Sequence, residues 1–261
     1  MVFARSMLFL LLQAMATIVF ALLALLVAPL PVLWRYRIIT GWNRLVVWMA
    51  KVICGLRFQV IGQENLPTVP SIVMAKHQSA WETIAFPVLF PPMAMVIKRE
   101  LLRIPFFGWG MALIAPIAID RGSGRAALKQ VVEQGKQRLA MGFWVLIFPE
   151  GTRMPVGEHG KYGIGGAWLA THVTVPVVPV AHNAGELWAR NAFLRYPGLV
   201  TISIGPAIDP SGMKPDALNQ AVQTWIDAEM QRLPKARSGQ AMNSQATNGQ
   251  IMNSQTGNGK A

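Results

Sequence analysis

The chain of 261 residues carries 24 Lys and Arg against 12 Asp and Glu, a formal net charge of +12, and is 52% apolar and only 14% charged. So apolar a chain is not largely disordered, and its single cysteine, Cys54, builds neither an internal disulfide framework nor a Cys-based zinc site. Basic and apolar together point to an anionic membrane surface or a phosphorylated ligand and away from nucleic acid, whose binders cluster more charge in basic stripes.

No acid precedes Glu64, whereas Arg5, Arg35, Arg37, Arg44, Lys51 and Arg57 all do, so half of the net charge lies in the first quarter of the chain. Between Arg5 and Arg35 no residue is charged, and residues 7–30 read MLFLLLQAMATIVFALLALLVAPL. As a helix at ~1.5 Å per residue this run reaches ~36 Å, enough to cross a ~30 Å hydrocarbon core or to enter one leaflet. A cleaved signal peptide is the competing reading, but the run is long for one and no small-x-small site follows it. Trp34-Arg35-Tyr36-Arg37 comes next, an aromatic and basic pairing of the membrane–water boundary. The excess of cations after the run places the bulk of the chain in the cytoplasm if the helix spans. Residues 38–56 mix Trp42, Leu45, Val46, Trp48, Met49 and Ile53 with Asn43, Arg44 and Lys51, the pattern of an amphipathic helix that lies in the interface or packs on the domain. Residues 1–57 are therefore expected to form a membrane-attachment module of helices on the cytoplasmic (inner) membrane.

From residue 58 short β-rich runs alternate with helical ones. The expected strands cover 58–61, 71–76, 94–98, 117–120, 144–148, 177–181 and 200–204, and the expected helices 80–90, 124–141, 165–172 and 216–233. The uncharged runs 104–119 and 162–181 are short or broken by Gly and Pro, and read as buried or interfacial pieces of this domain. Near-continuous apolar strands between helices imply an α/β domain over 58–237 with a mostly parallel sheet flanked by helices. Sites in such sheets gather beyond the carboxyl ends of the strands. Residues 238–261 contain an imperfect ten-residue repeat, GQAMNSQATN then GQIMNSQTGN, polar and without period, and are expected to be a disordered tail.

Two strand ends carry chemistry. The strand 71–76 runs into His77-Gln78-Ser79-Ala80-Trp81-Glu82. Ser79 and Glu82 have the spacing of a helix capping box, which by itself explains the acid, yet a capping acid at a helix start can also hold the His77 imidazole. The strand 144–148 runs into Pro149-Glu150-Gly151-Thr152-Arg153, an acid, a hydroxyl and an Arg around a glycine turn: an anion site or an ordinary turn with a surface ion pair.

Taken together, H-x-x-x-x-acid and, some seventy residues on, F-P-E-G-T-R resemble the glycerolipid acyltransferase family. Lys98-Arg99-Glu100-Leu101, Pro105-Phe106-Phe107-Gly108 and Ile119-Asp120-Arg121 look like its second block, and Val177-Val178-Pro179-Val180-Ala181 like its fourth. The resemblance covers roughly residues 58–205. One departure is Glu82, where the family usually has Asp.

The resemblance implies acyl transfer from acyl-ACP or acyl-CoA, with no further cofactor, to the free hydroxyl of lysophosphatidate. His77 is then the general base and Glu82 the group that fixes its tautomer. Lys98, Arg121 and Arg153 are the basic residues at matching positions for the phosphate, Glu150 and Gly151 shape the acceptor pocket, and Thr152 is a further donor. Arg99, Arg103 and Arg125 read as surface or headgroup contacts, and the Gly122-Ser123-Gly124 loop as a helix cap. His159, His172 and His182 lack acids at useful spacing and receive no role. Segment 106–119 is a candidate wall for the acyl chain. The competing functions are acylation of another lyso-lipid, such as lyso-ornithine lipid, and non-catalytic binding of membrane lipid.

Overall fold

The computed structural model describes residues 1–236, so the polar repeat lies outside the described residues. All seven expected strands form: β1 (Leu56–Ile61), β2 (Ile72–Ala75), β3 (Met93–Lys98), β4 (Ile117–Ile119), β5 (Trp144–Ile147), β6 (Val177–His182) and β7 (Gly198–Ile204). The helices are α1 (Val2–Leu26), α2 (Val32–Ile39), α3 (Gly41–Cys54), α4 (Trp81–Leu89), α5 (Phe107–Leu113), α6 (Arg125–Ala140), α7 (Gly165–Val173) and α8 (Pro215–Arg232).

The N-terminal region holds three helices, where periodicity indicated two. Pro29 and Pro31 divide it, since a proline disfavours helical geometry in the residue before it; Pro31 then caps α2. Gly55, in the left-handed region at φ 72°, ends α3 and turns the chain into β1.

The strands form one sheet in the order β1-β7-β6-β2-β5-β3-β4, parallel throughout except for the antiparallel pair β6–β7. β2 and β5 are buried at every position, as strands covered on both faces must be. Alternation sends Val73 and Ala75 of β2 into the core shared with α1, α3 and α4, and Ile72 and Met74 into the core shared with α6, α7 and α8. Phe9, Val46 and Ala50 belong to the first of these cores, so the N-terminal helices and the sheet share one apolar interior.

The chain leaves β2 for β3 and β4 on one side, returns to insert β5 between β3 and β2, and then crosses to β6 on β2's other side. This reversal is the kind of topological switch point at which α/β sheets bind ligands. The register pairs Met74 of β2 with Ile147 of β5, so His77 and Glu150 each lie three residues beyond paired neighbours. β3 pairs with both β5 and β4, carrying Lys98 and Ile119 to the same end of the sheet.

Helix α1 lies along the domain. Ser6, Phe9, Ala16, Ala21 and Ala24 are its buried stripe, and Leu8, Leu11, Met15, Ile18, Val19, Leu22 and Leu26 face outward. Near its start, the Arg195 guanidinium lies 4.7 Å from the centroid of the Phe9 ring and 4.3 Å from that of Trp188, while Ser6 Oγ accepts from Arg195 N–H. Farther along, Trp42 Nε1–H donates to Thr17 Oγ1 at 3.1 Å. Phe9 is fully buried with its ring edge-on to Trp188. Phe9→Ala is therefore expected to destabilise the protein by about 3 kcal/mol, and Leu11→Ala, on the exposed face, to change little. Thermal unfolding of both variants in detergent checks this.

Candidate active site

His77 follows β2 directly, and Glu82 lies in the first turn of α4. The reach of that turn brings Glu82 Oε1 to 2.8 Å from His77 Nδ1. The same oxygen accepts from the backbone N–H of Gln78 at 3.0 Å and of Ser79 at 2.8 Å. Ser79 Oγ in turn accepts from Trp81 N–H at 3.0 Å. The capping and imidazole-holding readings of Glu82 thus describe one carboxylate doing both. Its longer side chain, relative to the family's usual Asp, still reaches the ring.

Glu82 is fully buried. Burial would push its carboxyl up, but the hydrogen bonds it accepts from His77 and from the Ser79 N–H outweigh that and hold it below the usual carboxylate range. An ionised carboxylate only accepts, so Nδ1 of His77 carries the hydrogen, and Nε2 is the nitrogen with the lone pair in the neutral ring. Nε2 makes no hydrogen bond among the described residues, and the ring stacks on Phe148 at 4.1 Å between centroids. The result is a basic nitrogen on a ring of fixed orientation.

His77 opens onto a cavity of about 460 Å³. Arg121 and Arg153 line it together with His77, while Phe148, Ile84, Met95 and Val96 supply apolar surface. Phe106, Phe107, Gly110, Met111 and Ile114 form one wall, within the segment that the sequence offered for an acyl chain. Phe106 sits at φ 62° and ψ −61°, a rare conformation for a bulky residue, with Phe107 N–H donating to Pro105 C=O at 2.7 Å. Tyr36 also lines the cavity; burial pushes its phenol up to about 12, and its oxygen accepts from Met93 N–H. Gln13, Thr17, Phe20 and Ala21 of α1 also line it. That role of α1 carried no sequence signal beyond hydrophobicity. A shallower depression of about 380 Å³ on α8 contains none of the expected site residues.

The expected acceptor residues divide. Arg121 donates to the Gly151 carbonyl, and Arg153 is half-buried with its Nε unpaired among the described residues. Gly151 adopts φ 69°, the left-handed turn that a glycine permits. Thr152 is exposed. Lys98 is exposed 3.7 Å from Glu100 and does not line the cavity. The Glu150 side chain is completely buried and ion-paired with Lys76. Its other oxygen accepts from His77 N–H at 2.8 Å, so this carboxylate faces inward.

Two residues of this region escaped sequence reasoning. Lys76 reads simply as the end of a strand, and His182 has no acid near it in the chain. In the fold His182 Nε2–H donates to the Lys76 carbonyl at 2.8 Å, and Ala184 N–H donates to its Nδ1 at 3.3 Å. Among the described residues no cluster of His, Cys, Asp and Glu gathers that could hold a metal ion.

Burial pushes the His182 imidazole down, so it is neutral in the folded protein. Unfolded His takes up a proton near ~6.5. The contribution of His182 to stability is therefore complete above that pH and is lost as the pH falls below it. The melting temperature should decline from pH ~7.5 to ~5.5, with a shallower slope in His182→Gln. Equal slopes in the two proteins would refute a neutral buried His182.

The comparisons with known proteins agree in both sequence and fold. The Acyltransferase family model matches residues 57–183. A 1-acyl-sn-glycerol-3-phosphate acyltransferase of Pseudomonas aeruginosa is 46% identical over 231 residues, covering 87% of this chain and 90% of that one. An enzyme of the same name from Saccharomyces cerevisiae is 29% identical, over 74% of this chain and 65% of its own. The crystal structure of the 1-acyl-sn-glycerophosphate acyltransferase of Thermotoga maritima superposes with a TM-score of 0.73 at 22% identity, covering 88% of this chain and 94% of that one, and so shares its fold.

Proposed function

Since the chain belongs to the Acyltransferase family, we propose that it transfers an acyl chain from acyl-ACP or acyl-CoA to the sn-2 hydroxyl of lysophosphatidate, forming phosphatidate. The observation that carries the mechanism is the lone-pair nitrogen of His77, held by Glu82 at a cavity that two guanidinium groups share with apolar side chains.

In this reading Nε2 of His77 removes the proton of the acceptor hydroxyl as its oxygen attacks the thioester carbonyl. The imidazolium so formed is stabilised by the Glu82 carboxylate. Collapse of the tetrahedral intermediate forms the ester, breaks the C–S bond and returns the proton from His77 to the departing sulfur. No enzyme nucleophile is required, and the single cysteine, Cys54, is buried at the end of α3. Arg153 and Arg121 hold the acceptor phosphate, for which guanidinium geometry is suited. This pair favours a phosphorylated acceptor over lyso-ornithine lipid. The acyl chain occupies the apolar part of the cavity.

The protein acts at the cytoplasmic membrane from its cytoplasmic face. α1 is fastened to the domain both near its start and in its middle, while its other side exposes apolar residues along its length. A helix packed in this way enters one leaflet together with the domain edge, where Trp34, Trp48 and Trp109 are also exposed. The N-terminal cations then meet anionic lipid. Tags at the two termini should both read cytoplasmic, and an external N-terminal tag overturns this placement.

Membranes carrying the protein, given lysophosphatidate and acyl donors, should form phosphatidate. His77→Ala should abolish the reaction, and Glu82→Gln should lower kcat by about 10²–10⁴-fold. Arg153→Ala should chiefly raise KM for lysophosphatidate. Full activity in His77→Ala would sink the mechanism, and turnover of a non-phosphorylated lyso-lipid alone would sink the acceptor.

A further inference from the structure

The Lys76–Glu150 pair joins the ends of two neighbouring strands, one residue before the base and three after the end of β5. Both side chains are inaccessible, at 1% and 0% exposure. Each also bonds to backbone: Lys76 Nζ donates to the Glu158 carbonyl at 2.9 Å, and Glu150 accepts from Gly160 N–H at 3.3 Å and from His77 N–H at 2.8 Å. The strand end is pinned from a third side, because His182 donates to the carbonyl of Lys76. The His77 carbonyl accepts from Met154 N–H at 2.8 Å, so both backbone groups of the base are tied to the 150–154 loop.

A buried ion pair is weak evidence for stability, since apolar residues of similar volume commonly replace one without loss, whereas removing one partner leaves an uncompensated charge. What an apolar replacement here cannot supply is an acceptor for the His77 N–H. Building on the reading of His77 as the general base, we propose that Lys76 and Glu150 are positioning residues for that base, and that Glu150 acts through His77 and does not ligate the acceptor. Lys76 neutralises and orients the carboxylate; Glu150 fixes the His77 backbone at the level where Nε2 meets the acceptor hydroxyl; His182 holds the strand end from behind. A displacement of even ~1 Å at such a point costs up to ~10²-fold in rate.

The test compares Lys76→Met, Glu150→Gln and the double variant with the wild-type protein in membranes, with His77→Ala as reference. Each single variant strands one buried charge. Each should lose kcat by about 10²-fold, with KM for lysophosphatidate changed less than twofold. The double variant removes both charges but keeps a side-chain carbonyl oxygen at position 150 as acceptor for His77 N–H, and should recover at least tenfold over Glu150→Gln. Three results would overturn the proposal. One is a raised KM at unchanged kcat in Glu150→Gln with a silent Lys76→Met, which makes Glu150 an acceptor ligand. Another is a double variant no better than Glu150→Gln. The third is a double variant that fails to fold, which makes the pair a scaffold of the domain. Activity retained in His77→Ala would instead reject the base on which the proposal rests, so the two failures are distinguishable.

Discussion

Parallel pairing of β2 with β5, with Met74 opposite Ile147, is the constraint on which the site depends. Each strand is a short apolar run buried on both faces, so a slip of one residue would exchange the two core faces of every side chain. That register delivers the loops after both strands to one level. His77 then comes from one loop and the groups that tie down its backbone from the other. β3 and β4 extend the same edge and bring Arg121 alongside.

Around this edge the polar groups fall into two layers with different physics. The inner layer, Lys76, Glu82, Glu150 and His182, is buried, and its charges are paired or hydrogen-bonded, as charges taken out of water must be. The outer layer, Arg121 and Arg153, lines the cavity and retains donors for an anion. Charge that would be costly in a dry interior thus sits on groups behind the ring that are paired or hydrogen-bonded, with Glu82 Oε2 alone of their carboxylate oxygens lacking a partner among the described residues, while net positive charge faces the cavity.

The apolar side of the same cavity is shared with α1. A buried stripe made of Phe9 and otherwise small residues lets that helix lie against the domain, and its remaining surface is too apolar to face water over such a length. Membrane attachment and the substrate cavity therefore use two faces of one helix. On the proposed function, a lipid acceptor and an acyl chain would meet His77 on the side of the domain that α1 offers to a bilayer. The high apolar fraction of the chain divides between this helix and strands buried on both faces.

All seven strands and the principal helices were legible in the chain, because hydrophobic period and Gly/Pro punctuation are local properties. The relation of His77 to Glu82 was legible too, since five residues across a strand–helix turn leave few geometries. The family blocks carried the remaining site residues as types: Arg121 and Arg153 line the cavity, Lys98 does not, and Glu150 turns inward. What α1 packs against, and that it walls the cavity, had no local signature, because a span and a helix laid on a domain share one composition. Lys76 and His182 were equally invisible: their partners lie 74 and 106 residues away. The sequence by itself thus determined the seven strands, most of the helices, the family and the candidate reacting groups. Only the tertiary structure decided which charges face the cavity and which are buried behind His77, because burial and pairing across strands are set by sheet register and not by spacing along the chain.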